Sequence, residues 1–408
     1  MSERSMPRPG AQGGISLVEV MVGMAVGLLA SLVIFKSFSS SESFRRNVSG
    51  AADSIQNAAV VGARLNLMIE EGGAGLVQGR NVWSCLLKVS RGGSTLLPAS
   101  TLPAPFENFP KSVRVLPVGI QNGSTGSDTL LVIAGNSASS NRDILFDSTG
   151  TSLTVTNPNG IGLRDDGQTA TDLLLAVPQD VPEGPGDCQI VQVAADYSGG
   201  KPVADISLGL NVMPAAAKVV SPASYTVIPL NQGEASYGAL QSTASSPSAF
   251  HLGREALPTF SLVSVNSNNE LVEYDLLKRR PLQSFGENIL LLKARYGVDN
   301  GKAGGIPNDD VVDEWISPGE SGWSITELMS GNASVQQRVD QIKAIRIGLI
   351  VRTSQSQSTD AKSSTLVLFQ DLAESRQVTV KLASTEQRFG YQVFDWVIPL
   401  RNMKSTPK

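Results

Sequence analysis

Histidine is almost absent from this chain of 408 residues, in which His251 is the single example. Metal sites and acid–base catalysis commonly depend on imidazole groups held against other polar side chains, so this scarcity argues against both. Charged residues are also few, at 17%, and the net charge is −4. That sign is wrong for a general nucleic-acid-binding protein, and we expect no nucleic acid among the partners.

Cysteine is nearly as rare, because Cys85 and Cys188 are the two in the chain and neither belongs to a CxxC pair. A zinc knuckle or a thioredoxin-like redox motif is therefore not supported. In an exported protein two cysteines could close one disulfide, whereas in a cytosolic protein they would be buried thiols. The chain also lacks a P-loop, a dinucleotide fingerprint and the G-x-S-x-G hydrolase motif, so we expect it not to be an enzyme.

The chain does have one long apolar run, near its N-terminus. Residues 1–14 are polar and slightly basic, and residues 15–35 then contain a single charge, Glu19. As a helix this run would be about 30 Å long, enough to cross the core of a bilayer. A secretory signal peptide or a simple signal anchor is the plain alternative. Against it, no A-x-A cleavage site follows the run, and a carboxylate costs about 2.5–3.5 kcal/mol at the bilayer centre.

The residues at the start of this run form a recognisable pattern. Gly14 followed by Ile-Ser-Leu-Val-Glu and an apolar span resembles the prepilin signature of type IV pilins and type II secretion pseudopilins. The resemblance implies that a membrane peptidase cuts between Gly14 and Ile15 on the cytoplasmic side and methylates the new terminal amine. Glu19 would become the fifth residue of the mature chain and would serve assembly, by pairing with the terminal amine of a neighbouring subunit. The family prefers phenylalanine at the new terminus, and isoleucine is a conservative departure.

Small residues recur along the apolar run. Gly23, Gly27 and Ser31 are spaced four apart and in line with Glu19, so a helix would carry them on one face. Such a face allows another helix to approach closely. The alternative is that glycine is simply common in membrane helices.

Helical periodicity continues through residues 44–71 and stops at Gly72, Gly73 and Gly75. We therefore expect one helix over 15–71, about 85 Å long, with its membrane half at 15–35. The rest of the chain reads as β-rich, which predicts an α+β fold with the long helix packed on an antiparallel β-rich domain. We divide that domain into an inserted β-rich region over 72–256 and a C-terminal β-rich region over 257–408.

Short runs rich in Val, Ile, Leu and Thr, bounded by Gly, Pro, Asn or Ser, mark the expected strands. They lie at residues 113–120, 128–134, 152–156, 172–177, 189–195, 225–230, 259–266, 270–277, 288–296, 344–353, 365–369, 377–382 and 391–399. A short helix is expected around 334–342. The composition of 231–247 and 354–364 predicts mobile loops.

Four later segments resemble the PilW family of type IV pilus minor pilins: residues 73–85, 287–299, 342–353 and 394–402, the last ending in Leu-Arg-Asn. The resemblance implies a pilin-like fold with a large insertion, a single membrane pass in the inner membrane and a soluble domain in the periplasm. It further implies incorporation into the pilus, where the protein would prime assembly at the tip. The implied partners are prepilin peptidase, other minor pilins, the major pilin and a tip adhesin, and the implied processes are cell adhesion and twitching motility.

An oxidising periplasm would also join Cys85 and Cys188 in a disulfide. Two other functions stay open. One is a type II secretion pseudopilin, which shares the N-terminal signature. The other, from a different class, is a signal-anchored periplasmic enzyme or carbohydrate-binding module that uses the β-rich region.

One acidic loop invites a metal hypothesis. It contains glycines and six residues with side-chain oxygens, namely Asp299, Asn300, Asn308, Asp309, Asp310 and Asp313. Hard oxygen ligands on a flexible loop suit calcium at millimolar concentration. The EF-hand spacing is absent, however, and the alternative is a solvated turn. No other cofactor is expected.

Overall fold

The computed structural model describes residues 14, 16–76, 82–137, 144–146, 152–155, 161, 172–178, 185–194, 197, 226–231, 237–238, 248–254, 256–278, 280–356 and 364–403. A single helix, α1, runs from Leu17 to Glu70 over 54 residues. Ser16 precedes it in an extended conformation, and Gly73 (φ +76°) follows its end in the left-handed region that glycine tolerates. The one long helix expected from the sequence is confirmed.

The rest of the described chain is mainly strands. In the first half they are β1 Leu86–Arg91, β2 Ser94–Leu97, β3 Val118–Gln121, β4 Thr129–Ala134, β5 Ile144–Phe146, β6 Ser152–Val155, β7 Asp172–Val177, β8 Asp187–Gln192, β9 Thr226–Pro229 and β10 Ser248–Arg254. In the second half they are β11 Thr259–Val265, β12 Leu271–Asp275, β13 Gln283–Gly286, β14 Ile289–Val298, β15 Glu314–Ile316, β16 Ile342–Ser356, β17 Thr365–Leu368, β18 Val378–Lys381 and β19 Phe389–Pro399. The short helices are α2 Ile325–Leu328, α3 Ala333–Asp340 and three 3-10 turns, Glu374–Arg376, Glu386–Arg388 and Arg401–Met403. The α+β class is confirmed.

Three larger sheets carry the architecture. The N-terminal sheet has the order β10-β7-β8-β1-β2, the shared sheet β13-β12-β11-β4-β3, and the C-terminal sheet β15-β14-β16-β19. Apart from the parallel pair of β1 and β8, the strands of these sheets pair antiparallel. A hairpin of β17 and β18 and a small sheet of order β5-β6-β9 complete the described strands.

The expected division of the β-rich part at 256/257 falls inside a sheet. β4 and β11 lie on opposite sides of that division and pair antiparallel, from Thr259 opposite Ala134 to Val263 opposite Leu130. One hydrophobic cluster also unites residues of the C-terminal half of α1 with all three large sheets. The two regions therefore share a sheet and a core.

A buried ion pair ties the shared sheet to the C-terminal sheet. The Lys293 ammonium on β14 lies 2.8 Å from Asp128, just before β4, and neither side chain is more than 3% exposed. Asp128 also accepts the amides of Gly123 and Ala294, both at 2.9 Å. These bonds offset the cost of burying the carboxylate. Nothing in the sequence indicated this ion pair, because Lys293 is 165 residues away from Asp128.

Each of the thirteen expected strands overlaps an observed strand, although the one expected at 113–120 begins only at Val118, and the helix expected near 334–342 is α3. The sequence did not indicate β1, β2, β5, β10, β13 or β15, most of which are only three or four residues long. The loop expected at 354–364 is wrong at its start, because β16 continues to Ser356, where it pairs with Phe389. Most of 231–247 lies outside the described residues.

Candidate functional site

The expected processing site lies immediately before α1. Residues 1–13 and Ile15 lie outside the described part of the chain, whereas Gly14 is exposed and has no atom within 4 Å of the position a Cβ would occupy. The helix starts three residues later, at Leu17. Gly14 therefore lies outside the helix, and cleavage after it stays a prediction.

Glu19 lies in the first turn of α1, where its amide donates to the carbonyl of Ser16 at 2.9 Å. An anion in this turn is stabilised by about 0.3–1 kcal/mol through the helix dipole. Its carboxylate has no hydrogen bond or ion pair within the described residues. The side chain is thus available to a cation outside its own subunit.

The small-residue stripe, formed by Gly23, Gly27 and Ser31, is not covered by any other part of the described chain. A Cβ at Gly23 or at Gly27 would have no neighbour within 4 Å, and all three members of the stripe are exposed. The Ser31 hydroxyl donates to the carbonyl of Gly27 at 2.8 Å. This hydroxyl therefore has a hydrogen-bond acceptor within the helix and does not need water. The face is compatible with either the packing role or ordinary membrane composition.

The N-terminal half of α1 is long and apolar enough to span a membrane. Its most apolar window of 18 residues has a mean hydropathy of 2.4, and none of that window is buried in the protein. Large side chains such as Leu17, Met24 and Phe35 are 71–76% exposed. Exposure on this scale is stable only where lipid or other protein replaces water around the helix.

The C-terminal half of α1 packs on the β-rich domain. Ala58, Val61, Leu65 and Ile69 are at most 5% exposed, at helical spacing, and join the main core. This face contacts β13, β16 and β19. The approach is close at Gly286, the last residue of β13, where an added Cβ would overlap Cγ2 of Val61. A side chain at position 286 would therefore require Val61 or the strand to shift.

Polar contacts hold the same half of the helix at two points. Arg64 forms an ion pair with Glu273 at 2.6 Å. At its end, Arg401 lies 3.1 Å from the Glu70 carboxylate, and the Asn402 side-chain amide lies 3.3 Å from the carbonyls of Glu70 and Glu71. The terminal Leu-Arg-Asn segment thus supplies donors to the last carbonyls of α1, which lack partners inside the helix.

The outward face of the C-terminal half of α1 exposes several apolar side chains. Ile55, Val60 and Leu67 are 51–62% exposed, and the smaller residues Ala52, Ala59 and Ala63 on the same side are also exposed. Charged side chains stand beside them, namely Asp53 and Arg64, and the stretch that contains Lys36, Glu42, Arg45 and Arg46 separates them from the apolar run nearer the N-terminus. The exposed apolar side chains therefore form a separate patch on the outside of the domain.

The acidic loop uses its carboxylates to bind its own backbone. Asp299 is fully buried and accepts the amides of Asn308 (2.6 Å) and Asp310 (2.8 Å). Asp313 accepts the amides of Asn300 (2.8 Å) and Gly301 (2.5 Å). Asp309 accepts the amide of Val311 at 3.0 Å, and Asp310 forms an ion pair with Lys343 at 2.9 Å.

Within the described ranges, no group of three or more His, Cys, Asp or Glu side chains is placed to hold a metal ion. The calcium hypothesis stays a prediction without geometric support.

Cys85 and Cys188 form a disulfide, with their Cα atoms 5.7 Å apart. Cys188 lies on β8, opposite Leu87 of β1, so the bond reinforces the parallel strand pair. The pairing expected for an oxidising compartment is present.

His251 occupies a packed position between two sheets. Its Nδ1 lies 2.6 Å from the Ser137 hydroxyl, just after β4, and its Nε2 lies 3.3 Å from Asp172 at the start of β7. His251 and Asp172 are both buried. The side chains thus connect the shared sheet with the N-terminal sheet.

The sequence reading missed an arginine cluster on the C-terminal sheet. Arg346 donates to Asp395 at 2.5 and 2.7 Å and to Asp371 at 2.6 and 2.8 Å. These bonds lower the pKa of Asp371 and raise the pKa of Arg346. Arg295, opposite Arg346 on β14, lies over the ring of Phe369. Arg346 in the otherwise apolar β16 could have indicated this cluster, because an arginine in a strand favours acidic partners on the same face.

Comparison with known proteins agrees with this picture over part of the chain. Residues 268–402 match a sequence model of the family described as Type IV Pilus-assembly protein W. The match covers about a third of the chain and relates it to type IV pilus assembly. It contains three of the four segments that suggested the relationship, and 73–85 lies outside it. No curated protein and no solved structure matches the chain.

Proposed function

We propose that this chain is a minor pilin of the PilW type, anchored in the inner membrane and assembled into a type IV pilus. The observation that carries the proposal is the arrangement of α1. Its soluble half packs on β16 and β19, which lie in the segment that matches the pilus-assembly family, and its apolar half leaves the domain unburied. The role is structural, and the chain is not an enzyme.

Processing is the first step of the proposed role. Prepilin peptidase would cut after Gly14 and methylate Ile15, leaving the soluble domain in the periplasm. Exposure of Gly14 ahead of the helix supports this step. The leader carries Arg4 and Arg8 against Glu3, and positive charge on the cytoplasmic side favours that orientation.

Assembly is the second step. The unburied half of α1, with its small-residue stripe, would pack against helices of other minor pilins and of the major pilin. The exposed side chains of Ile55, Val60 and Leu67 add a second apolar patch nearer the domain. Helices that pack in this way bury apolar surface that a single subunit leaves exposed. Priming at the tip, contact with a tip adhesin, adhesion and twitching motility belong to the same proposal.

A type II secretion pseudopilin shares the N-terminal signature. The matched family is described by pilus assembly, which favours the pilus. Deletion of the gene should therefore remove surface pili and leave protein secretion intact, and the reverse result would favour the pseudopilin.

The mature N-terminus tests the proposal most directly. Mass spectrometry of the membrane fraction should find a chain that begins with N-methyl-isoleucine from Ile15. A Gly14→Val variant should accumulate as the full-length precursor, whereas Gly10→Val, in the same leader, should be processed normally. Mature protein of normal mass in the Gly14→Val strain would contradict the cleavage site.

A further inference from the structure

The C-terminal sheet ends in a long strand that is paired on one side only. β19 pairs with β16 and stands at the edge of the sheet. On the inner side, the amide of Leu400 donates to Lys343 at 2.8 Å, and the amide of Gly390 donates to the Thr353 hydroxyl at 3.1 Å. Since main-chain groups alternate in direction along a strand, the even-numbered residues of β19 face β16.

The odd-numbered residues therefore direct their N–H and C=O groups away from the sheet. They are Tyr391, Val393, Asp395 and Val397, and within the described part of the chain none of these main-chain groups has a hydrogen bond. The result is a straight row of donors and acceptors repeating about every 6.8 Å. Its natural complement is the main chain of another extended segment.

This edge lacks the features that keep sheet edges from pairing. Such features are short length, lysine, internal proline and bulges. β15, at the other edge of the same sheet, has three residues, whereas β19 has 11. β19 has no lysine and no proline before Pro399, and its pairing with β16 is regular from Tyr391 to Pro399. Its one charged residue, Asp395, is bound by Arg346.

The side chains along the edge indicate what kind of strand would fit. Phe394 and Trp396 are partly buried on the side of α1, and Val393 and Val397 are 41% and 48% exposed on the other side. An added strand would lie about 4.8 Å from β19 and place its own side chains beside these on both faces. Uncharged, mainly β-branched or aromatic residues would match them.

A second copy of the chain does not fit this edge through antiparallel pairing of its own β19. Antiparallel pairing of two β19 strands requires a twofold axis perpendicular to the sheet. Because α1 lies on a face of this sheet, against β16 and β19, the axis would point the two α1 helices in opposite directions. Two chains anchored in one membrane cannot adopt that arrangement, and this step rests on the proposed membrane anchor.

We propose that the free edge of β19 binds an extended segment of a different polypeptide, which adds an uncharged strand to the C-terminal sheet through the outward main-chain groups of Val393, Asp395 and Val397. The interaction is separate from helix packing by α1, so the protein would have two independent attachment surfaces.

Hydrogen exchange on the full-length protein in detergent tests the proposal. The probe is an uncharged peptide, acetyl-Thr-Val-Thr-Val-Thr-Val-Thr-amide, at millimolar concentration. The amides of Val393, Asp395 and Val397 should exchange about tenfold more slowly with the peptide than without it. A fully N-methylated version of the peptide, which lacks main-chain donors, should have no effect.

Two substitutions identify the edge as the binding surface. Val397→Pro removes one outward donor and leaves the inward ladder intact, because an edge position tolerates proline. It should weaken peptide binding by about tenfold or more, while Val397→Thr should bind as the wild type does. Continued protection of the Phe394 and Trp396 amides shows that the variant is folded, and Val393→Pro replaces it if it is not.

Three results would overturn the proposal: no slowing of exchange in the wild type, equal binding by both folded proline variants and Val397→Thr, or slowing that needs only a higher protein concentration. The last would mean that a second copy occupies the edge. None of these measurements depends on processing at Gly14, so the proposed function and this inference fail separately.

Discussion

The carboxylates in this protein differ in the hydrogen-bond and ion-pair partners that surround them. Asp128 and Asp299 are fully buried and are held by an ammonium group, by backbone amides or by both. Glu19 lies in the first turn of α1, and its carboxylate has no partner among the described residues. The buried pair at Asp128 is satisfied within the subunit, whereas the proposed assembly would give Glu19 a partner from outside.

Replacement of Glu19 by alanine should impair assembly without impairing folding. The Glu19→Ala chain should be inserted and cut after Gly14, because those steps use the leader and the apolar span. It should fail to co-purify with partner pilins and should reduce surface piliation, since the neighbouring terminal amine is left without a counter-charge in an apolar surrounding. Met24→Leu is the matched control in the same helix. Wild-type piliation of Glu19→Ala would leave only the helix-dipole role.

The Asp371 carboxylate should make stability depend on pH. Hydrogen bonds from Arg346 lower its pKa in the folded state, so the stabilisation is present above the unfolded pKa and is lost as pH falls through the folded one. Asp371→Asn should reduce the free energy of unfolding at pH 7 by at most about 1 kcal/mol, because the side chain is 63% exposed and such pairs are screened.

Chemical denaturation at neutral and acidic pH measures this effect. Wild type and Asp371→Asn should converge at a pH below the folded pKa of Asp371. Asp309→Asn is the control, since Asp309 accepts only an amide of its own loop. A difference between wild type and Asp371→Asn that stays constant across the range would contradict the assigned cause.

At the level of elements, α1 has two environments within one unbroken helix. Its first half contains an apolar window of 18 residues, none of which is buried in the domain. Its second half buries one face against the sheets and exposes Ile55, Val60 and Leu67 on the other. The contact between the second half and the sheets fixes the direction in which the first half leaves the domain. Docking of α1 is therefore a condition for the proposed assembly.

The close approach of α1 to β13 can be tested by a double-mutant cycle. Gly286→Ala should lower the free energy of unfolding by about 1–3 kcal/mol, because the added methyl overlaps Val61 and cores tolerate such overpacking poorly. Val61→Ala in the same chain should recover part of that loss, with a coupling of about 0.5–3 kcal/mol between the two sites. Thermal or chemical unfolding measures both.

Gly126→Ala is the matched control for this cycle, because its nearest neighbour would be 3.5 Å from the added Cβ. Its free energy of unfolding should stay close to that of the wild type. Additive effects of Gly286→Ala and Val61→Ala would show that helix and strand do not meet at this point.

For the molecule as a whole, the disulfide joins distant parts of the chain. Cys85 and Cys188 are separated by 103 residues, and the bond holds β1 beside β8 at the core of the N-terminal sheet. The loop it closes includes β1 to β7, and therefore strands of the N-terminal sheet, the shared sheet and the small sheet of β5, β6 and β9. Its removal should affect the entire domain.

The Cys85→Ser, Cys188→Ser double variant should lose up to about 4–5 kcal/mol of unfolding free energy in the chain-entropy description. Denaturation with and without reductant measures the loss, and reductant should have no effect on the double variant. Thiol labelling of the unreduced, denatured wild type should find no free cysteine. Two labelled thiols would contradict the bond.

Much of the fold could be predicted from local pattern. The continuous α1 follows from apolar periodicity without proline, and the thirteen expected strands follow from β-branched runs between turn residues. The short strands, such as β13 and β15, were missed because three or four residues carry too little pattern. Their pairing with longer neighbours, and not their own composition, makes them strands.

The features of the candidate site also fall into two groups, those that local sequence determines and those that tertiary contacts determine. The sequence by itself determined the apolar span, Glu19 and the small-residue stripe, because each depends on residues within a few helical turns. Only the tertiary structure decided that Asn402 meets the end of α1 across 331 residues, that Arg346 meets Asp371 and Asp395, and that β19 is left with a free edge. These features arise from contacts between segments far apart in the chain, and neither periodicity nor composition specifies which segments will become neighbours.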